Sequence, residues 1–460
     1  MTTANETATV GTSGGAITLN NVACAGAPTV ATAETINVAG AATTGNETLV
    51  VDLTNGPLAP GLTPEGAGLS EIEINANLGL AAGDRITVTG AESADNLLLG
   101  AGGINLNGDD DADIATTNTE LFTLNGAGAS DFLSAQGGSG TGGPATLPAT
   151  INGDAGDDTI KPGLGNDTVA GGVGSDAIDG SDAPTAIAIN LATTAAQNTG
   201  GLGTDTISGF ENVRGSPFAD TLTGDGGANF LGGLGGDDRL NGASGDDTID
   251  GDEGNDTGDY STATAAITAS LSLATQDTGA FGTDTLLELE NLTGGSGADS
   301  LTGSGGANTL RGGGGNDVLE GGLGDDEVEG DAGTDTASAQ SAAAGVRIDL
   351  RAGTLTGADG ADALSEIESA DGSPFDDTMI GDELANALNG SAGTDTVDYS
   401  QAIGGLALNL QTGSVTGAGA TDSLSQIESV VGTPFDDTLT GSTVSNSLRS
   451  GGGDDTVIGA

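Results

Sequence analysis

Between Gly294 and Ser338 the chain reads as five nine-residue lines laid end to end: GGSGADSLT, GSGGANTLR, GGGGNDVLE, GGLGDDEVE and GDAGTDTAS. Glycine holds the first and fourth places, an acid or its amide the sixth, and an aliphatic residue the eighth. The period confines the fold to a narrow class. The first six places turn well and build helix or strand poorly, because glycine accepts positive φ and close backbone approach. The last three alternate polar, apolar, polar, as in Glu327-Val328-Glu329, which is a very short strand with one side chain pointing inward. Two lines make a coil of turn, strand, turn, strand. Stacked coils pair as parallel strands about 4.8 Å apart. The predicted class is all-β: a parallel β-roll or β-helix solenoid of nonapeptide repeats with intervening β spacers.

The beat extends well beyond these lines. Gly90, Gly108 and Gly126 are each followed five residues later by an aspartate, Asp95, Asp113 and Asp131. We therefore divide the chain into a β-rich N-terminal segment or cap (1–89), degenerate repeat coils (90–152), and repeat blocks at 153–181, 215–259, 294–338, 372–398 and 432–460. Spacers fill 182–214, 260–293, 339–371 and 399–431. Each spacer opens on an alternating strand and closes on an acid-bearing one, with Glu211, Glu290, Glu368 and Glu428 aligned. Spacer length is close to four nonapeptides, so a spacer is expected to continue the coil without acidic turns. The chain ends inside a repeat, which suggests a fragment of a longer protein.

Composition narrows the function. Lys and Arg total 8 against 67 Asp and Glu, for a formal net charge of −59. Such a chain repels nucleic acid and anionic membranes and attracts cations. Its 85 glycines and 2 % aromatic content alone would fit disorder, but disorder has no use for a register. No run approaches the length of a membrane span, and MTTANETATV is not a secretory leader. Cys24 is the single cysteine, so no intramolecular disulfide forms, and there is no His. Ser-His-Asp, Cys-His and zinc-protease chemistry are thereby excluded. The four aligned glutamates are the best remaining catalytic candidates, yet fourfold repetition suits a structural role. Tyr260 and Tyr399, in matching Asp-Tyr-Ser contexts, also read as structural. The chain is not expected to be an enzyme.

The sixth place carries the chemistry. In stacked coils, residues 18 apart such as Asp299, Asp317 and Asp335 lie in one column. Two carboxylates about 5 Å apart repel by about 1 kcal/mol in water and about 3 kcal/mol at an effective dielectric near 20. A hard cation between stacked pairs reverses that sign. Carboxylate oxygens and turn carbonyls form an all-oxygen shell that suits Ca²⁺ better than Mg²⁺ or Zn²⁺.

GGVGSDAID at Gly171, GGSGADSLT at Gly294 and GGLGDDEVE at Gly321 match G-G-x-G-x-D-x-U-x in full, and here the chain resembles the repeats-in-toxin (RTX) calcium-binding family. The resemblance implies a β-roll that is disordered without calcium and folds after export, placing the protein outside the cell or on its surface. It implies several Ca²⁺ ions, held by Asp158, Asp167, Asp176, Asp220, Asp238, Asp247, Asp256, Asp299, Asp317, Asp326, Asp335, Asp377, Asp395, Asp437 and Asp455. The turn glycines of the sites are Gly171, Gly172, Gly174, Gly294, Gly295, Gly297, Gly312, Gly313, Gly315, Gly321, Gly322 and Gly324. Asn229, Asn308, Asn386 and Asn446 replace aspartate and are expected to weaken their sites, while Gly258 and Ala337 empty the inward eighth place at block ends. The reading is a calcium-dependent scaffold, or the repeat region of a larger secreted adhesin or hydrolase. A surface polysaccharide or protein is the class of further partner this admits.

Overall fold

The computed structural model describes residues 7–13, 16–20, 22–23, 35–39, 46–56, 73–78, 83–106, 112–138, 140–357, 360–417 and 420–459. Cys24 and Gly108 lie outside them. The chain forms two compact units, Met1–Asp238 and Arg239–Ala460. Both are all-β; the helical content among the described residues is one 3₁₀ turn, Gly279–Phe281.

In the first unit one sheet runs through Gly203–Ser208, Thr168–Val173, Ala149–Ala155, Leu121–Asn125, Arg85–Thr89, Thr48–Asp52 and Thr7–Ser13. These strands pair in parallel, and their inward residues form one ladder. Val10, Val51, Val88, Leu124, Ile151, Val169 and Ile207 stand in register, each buried. Three strands before Gly90, Thr7–Ser13, Thr48–Asp52 and Arg85–Thr89, are thus built into the sheet that carries the first repeats, although no nonapeptide leads into them. Antiparallel Ala16–Leu19 and Val22–Ala23 cover the sheet's edge, where open backbone groups would otherwise template pairing with another chain.

The degenerate coils depart from the simple period. Asn96–Gly100, Gly103–Asn105 and Ile114–Thr117 form an antiparallel meander. It accounts for a coil's length of sequence, so Asp95 stacks directly on Asp131, 36 residues away (Asp95 N to Asp131 Oδ1, 2.8 Å). Asp113 leaves that column, its Oδ2 accepting the Leu106 N–H at 2.6 Å.

In the second unit the strands fall where places seven to nine predict, as at Ser300–Thr302, Thr309–Arg311, Val318–Glu320 and Glu327–Glu329. Successive lines alternate between two parallel sheets. Leu292, Leu310, Val328 and Leu364 form one inward ladder; Leu301, Leu319, Ala337, Ala370, Leu388 and Leu424 form the other. Burying such an aliphatic side chain contributes about 1.5–3 kcal/mol, and each line supplies one.

The spacers are not plain coils. In 339–371 the opening strand, Arg347–Asp349, pairs forward with Thr378–Ile380 of the next block. It turns antiparallel through Thr354–Thr356 to Ala361–Ser365, which pairs back onto Glu327–Glu329. Leu406–Asn409, Ser414–Gly417 and Ala420–Ser425 repeat the arrangement. In 260–293 a side chain stands in for that first hairpin: the Gln276 amide accepts from Ser270 N at 2.7 Å and donates to Ser270 O at 2.9 Å.

Candidate metal centre

Each line places its aspartate just ahead of the three-residue strand, so the strand's pairing fixes the carboxylate's height in the stack. The carboxylates do not simply face one another. Asp299 N donates to Asp317 Oδ1 at 2.7 Å, and Asp317 N to Asp335 Oδ1 at 2.8 Å. The same contact joins Asp158 to Asp176, Asp220 to Asp238, Asp377 to Asp395 and Asp437 to Asp455. Backbone N–H groups interleave with the charges and offset part of the predicted repulsion. Most of these aspartates are buried, Asp176, Asp317 and Asp335 completely.

The second carboxylate oxygen sorts them. Asp158, Asp176, Asp317, Asp326, Asp335 and Asp395 each keep a buried Oδ2 with no hydrogen-bond partner. Asp167, Asp220, Asp299, Asp377 and Asp437 do not, because a neighbouring backbone N–H occupies that oxygen. The last set, apart from Asp167, are the first aspartates after a spacer, and their Oδ1 accepts from a spacer N–H. Ser216, Ser373 and Thr433 add a hydroxyl to the same oxygen. Asp238, Asp247 and Asp256 are buried within the blocks.

Glycine keeps the space beside each Oδ2 open. A Cβ on Gly312 would stand 2.4 Å from Asp317 Oδ2 and 2.8 Å from the Gly330 carbonyl oxygen, so carboxylate and carbonyl oxygens converge there. Gly171, Gly294 and Gly321 lie in the same way against Asp176, Asp299 and Asp326. Gly172, Gly174, Gly313, Gly315, Gly322 and Gly324 have positive φ, and a Cβ on Gly315 would sit 1.8 Å from Gly297 O. Gly295 and Gly297 instead pack against the backbone of Ala263 and Ala265.

Burial, followed by neighbouring carboxylates, pushes Asp317 and Asp395 up to about 6. Burial likewise raises Asp158, Asp176, Asp326 and Asp335. An orphaned, buried, acceptor-only oxygen beside a carbonyl fits a hard cation. Two further acidic clusters flank the columns. Arg311 pairs with Glu329 (3.2 Å) and Asp331 (3.0 Å) beside Glu366, whereas Asp250, Asp252 and Glu288 gather where no guanidinium is paired with them among the described residues.

The spacer glutamates continue the columns. Glu211, Glu290, Glu368 and Glu428 each offer Oε2 to the N–H of the last block aspartate, Asp176, Asp256, Asp335 and Asp395, at 2.8–3.1 Å. Two residues earlier the backbone turns left-handed, at Gly209, Glu288, Glu366 and Gln426. The glutamate N–H then bonds back to that aspartate's carbonyl, as for Glu290 N to Asp256 O at 3.1 Å. Its own carbonyl faces the next coil, where an amide meets it: Asn229, Asn308, Asn386 and Asn446 donate Nδ2 to the carbonyls of Glu211, Glu290, Glu368 and Glu428. These asparagines therefore answer to a flipped peptide one coil below. An aspartate there would set a carboxylate against a carbonyl.

Sequence reasoning missed a further set of column members. Asp205, Asp284, Asp362 and Asp422 lie inside spacers, are buried, and accept the N–H of Asp167, Asp247, Asp326 and Asn386. Their signal was a Thr-Asp-Thr-like triplet followed by an aliphatic residue. Hydroxyls hold Oδ2 in three of them: Thr199 at Asp205, Tyr260 and Thr278 at Asp284, and Tyr399 at Asp422 (2.7 Å). Spacer aspartates are thus satisfied by protein donors where several block aspartates are not.

The family model described as RTX calcium-binding nonapeptide repeat (4 copies) matches residues 150–182, 199–240, 223–258, 290–319, 302–337, 371–401 and 431–460. No curated protein matches the chain. Among the described residues no helix is long and apolar enough to cross a membrane.

Proposed function

Because the chain carries RTX calcium-binding nonapeptide repeats in several copies between residues 150 and 460, we propose that it is an extracellular or cell-surface scaffold whose β-roll folds on binding Ca²⁺. The ions sit at the block aspartates with an unpartnered Oδ2: Asp158, Asp176, Asp317, Asp326, Asp335 and Asp395. Asp238, Asp247 and Asp256 make the same backbone-to-carboxylate contact with Asp220, Asp284 and Glu290. Asp220, Asp299, Asp377 and Asp437 seat the first coil after each spacer through protein hydrogen bonds.

One contrast carries this reading. Hydroxyls reach Oδ2 of spacer aspartates at Asp205, Asp284 and Asp422, whereas Asp158, Asp176, Asp317, Asp326, Asp335 and Asp395 within the blocks leave theirs bare beside glycine. Bare, buried carboxylates raise the free energy of the folded chain until a cation neutralises them. Calcium bound when coils stack is therefore folding energy. Weak sites of the extracellular kind, with dissociation constants of about 10⁻⁴–10⁻³ M, keep the chain unfolded where calcium is scarce. Small-angle scattering tests the reading. In chelator the radius of gyration should approach the roughly 80 Å of an unfolded chain this long, and millimolar Ca²⁺ should lower it sharply. Equal radii in both conditions would reject it.

A further inference from the structure

Ahead of the matched repeats, Glu47 and Asp84 are both 0 % exposed. Each immediately precedes a strand, Thr48–Asp52 and Arg85–Thr89, and the strands pair in parallel with Thr48 opposite Arg85. Glu47 N donates to Asp84 Oδ1 at 2.9 Å, and Asp84 N donates to Glu120 Oε2 at 3.0 Å. This is the contact that stacks the repeat aspartates, built without a nonapeptide. Glu47 Oε1, Glu47 Oε2 and Asp84 Oδ2 have no hydrogen-bond partner. Burial, then the Asp84 carboxyl beside it, raises the Glu47 pKa.

We propose that Glu47 and Asp84 hold a divalent cation, Ca²⁺ or one of like hardness, at a site separate from the nonapeptide blocks. Three buried oxygens lack a donor. A proton shared between the carboxyl groups satisfies two of them and strands the third. The basic side chain adjacent in sequence, Arg85, is exposed. A divalent ion matches the charge of both carboxylates and accepts several oxygens at once. It would fix the parallel pair of Thr48–Asp52 with Arg85–Thr89, the second step of the aliphatic ladder after Val10 and Val51.

Anomalous diffraction from crystals of the full chain in Ca²⁺ or Tb³⁺ tests this. The expected result is a peak within about 2.3–2.6 Å of oxygens from both Glu47 and Asp84. Peaks beside Asp317 and Asp326 with none at Glu47 would overturn it. A peak at Glu47 with none at Asp317 would instead remove the block reading. Native mass spectrometry checks the count in solution: the double variant Glu47→Gln, Asp84→Asn should carry one Ca²⁺ fewer than wild type. An unchanged count overturns the proposal. The amides keep the shape and the acceptor for Glu47 N–H. Should circular dichroism show the pair unfolded, Glu47→Gln alone gives the same reading.

Discussion

Changing Asp317 to Asn should move stability in opposite directions with and without calcium. The asparagine keeps Oδ1, and with it the acceptor for Asp299 N at 2.7 Å. It replaces the bare Oδ2 with an amide nitrogen and removes a buried charge. Asp317 is raised from the ordinary 3.8 to about 6, first by burial and then by Asp299 and Asp335. Kept ionised at neutral pH, such a group costs about 3 kcal/mol, lowered to about 1–2 kcal/mol once solvent screening along the turns is allowed for. Without calcium, Asp317→Asn should therefore be about 1–2 kcal/mol more stable than wild type. With calcium at a hundred times its dissociation constant, each lost site removes about 2.7 kcal/mol. The variant should then be less stable by about 1 kcal/mol or more. Urea unfolding followed by circular dichroism in chelator and in excess Ca²⁺ reads both values, with trimethylamine oxide added to bring the calcium-free fold into range. Equal destabilisation in both conditions would mean that Asp317 is only a packing element, and would refute the reasoning.

Asn308→Asp should be destabilising by about 2 kcal/mol or more, because a carboxylate would replace the amide donated to Glu290 O at 2.6 Å; an unchanged unfolding midpoint would contradict the flipped-peptide account. Tyr399→Phe removes the 2.7 Å donor to buried Asp422 Oδ2 and should cost about 1–3 kcal/mol, read as a lowered melting temperature in calcium. Asp131, Asp317 and Asp395 are raised to about 6, burial being the leading cause. Their folded pKa exceeds the unfolded one, so their contribution is complete below about 4 and lost as pH rises through about 6. In chelator, β signal should grow on acidification from pH 7 to 4.5, while protons competing for the same oxygens weaken calcium binding; a flat chelator profile would count against this. Asp317→Ala should release more bound calcium than Asp455→Ala, since Asp317 has column neighbours on both sides and Asp455 is joined through Asp437; dialysis showing equal losses would oppose the column geometry.

The repeating part of the fold was legible because period and place carry it. A strand at places seven to nine, an inward eighth side chain and a column of aspartates follow from spacing alone, and Leu301, Leu319 and Asp299–Asp317–Asp335 stand where spacing puts them. The asparagines were visible as departures from aspartate, but the bond each makes was not. Each lies 18 residues after an aligned glutamate, yet the reason is a left-handed residue two places before that glutamate, and Glu288, Glu366 and Gln426 give no hint of it in their types. The spacer hairpins were hidden for a related reason: Arg347–Asp349 and Thr354–Thr356 are too short to declare an antiparallel partner. Strands at 48–53 and 85–89 were legible from their alternation, but their place in the stack was not, because Glu47 and Asp84 take the column position outside any nine-residue register. Period reports the turns, whereas the stack is held by strand register and buried carboxylates, which persist where the turns change.

Far-ultraviolet circular dichroism of the full chain, titrated with Ca²⁺ from excess chelator, tests the central claim most directly. A largely unfolded spectrum in chelator that converts cooperatively to β structure in the millimolar range is the predicted result. A β spectrum already complete in chelator and indifferent to added Ca²⁺ would contradict it, because the bare carboxylates of the blocks would then have folded without their counter-ion.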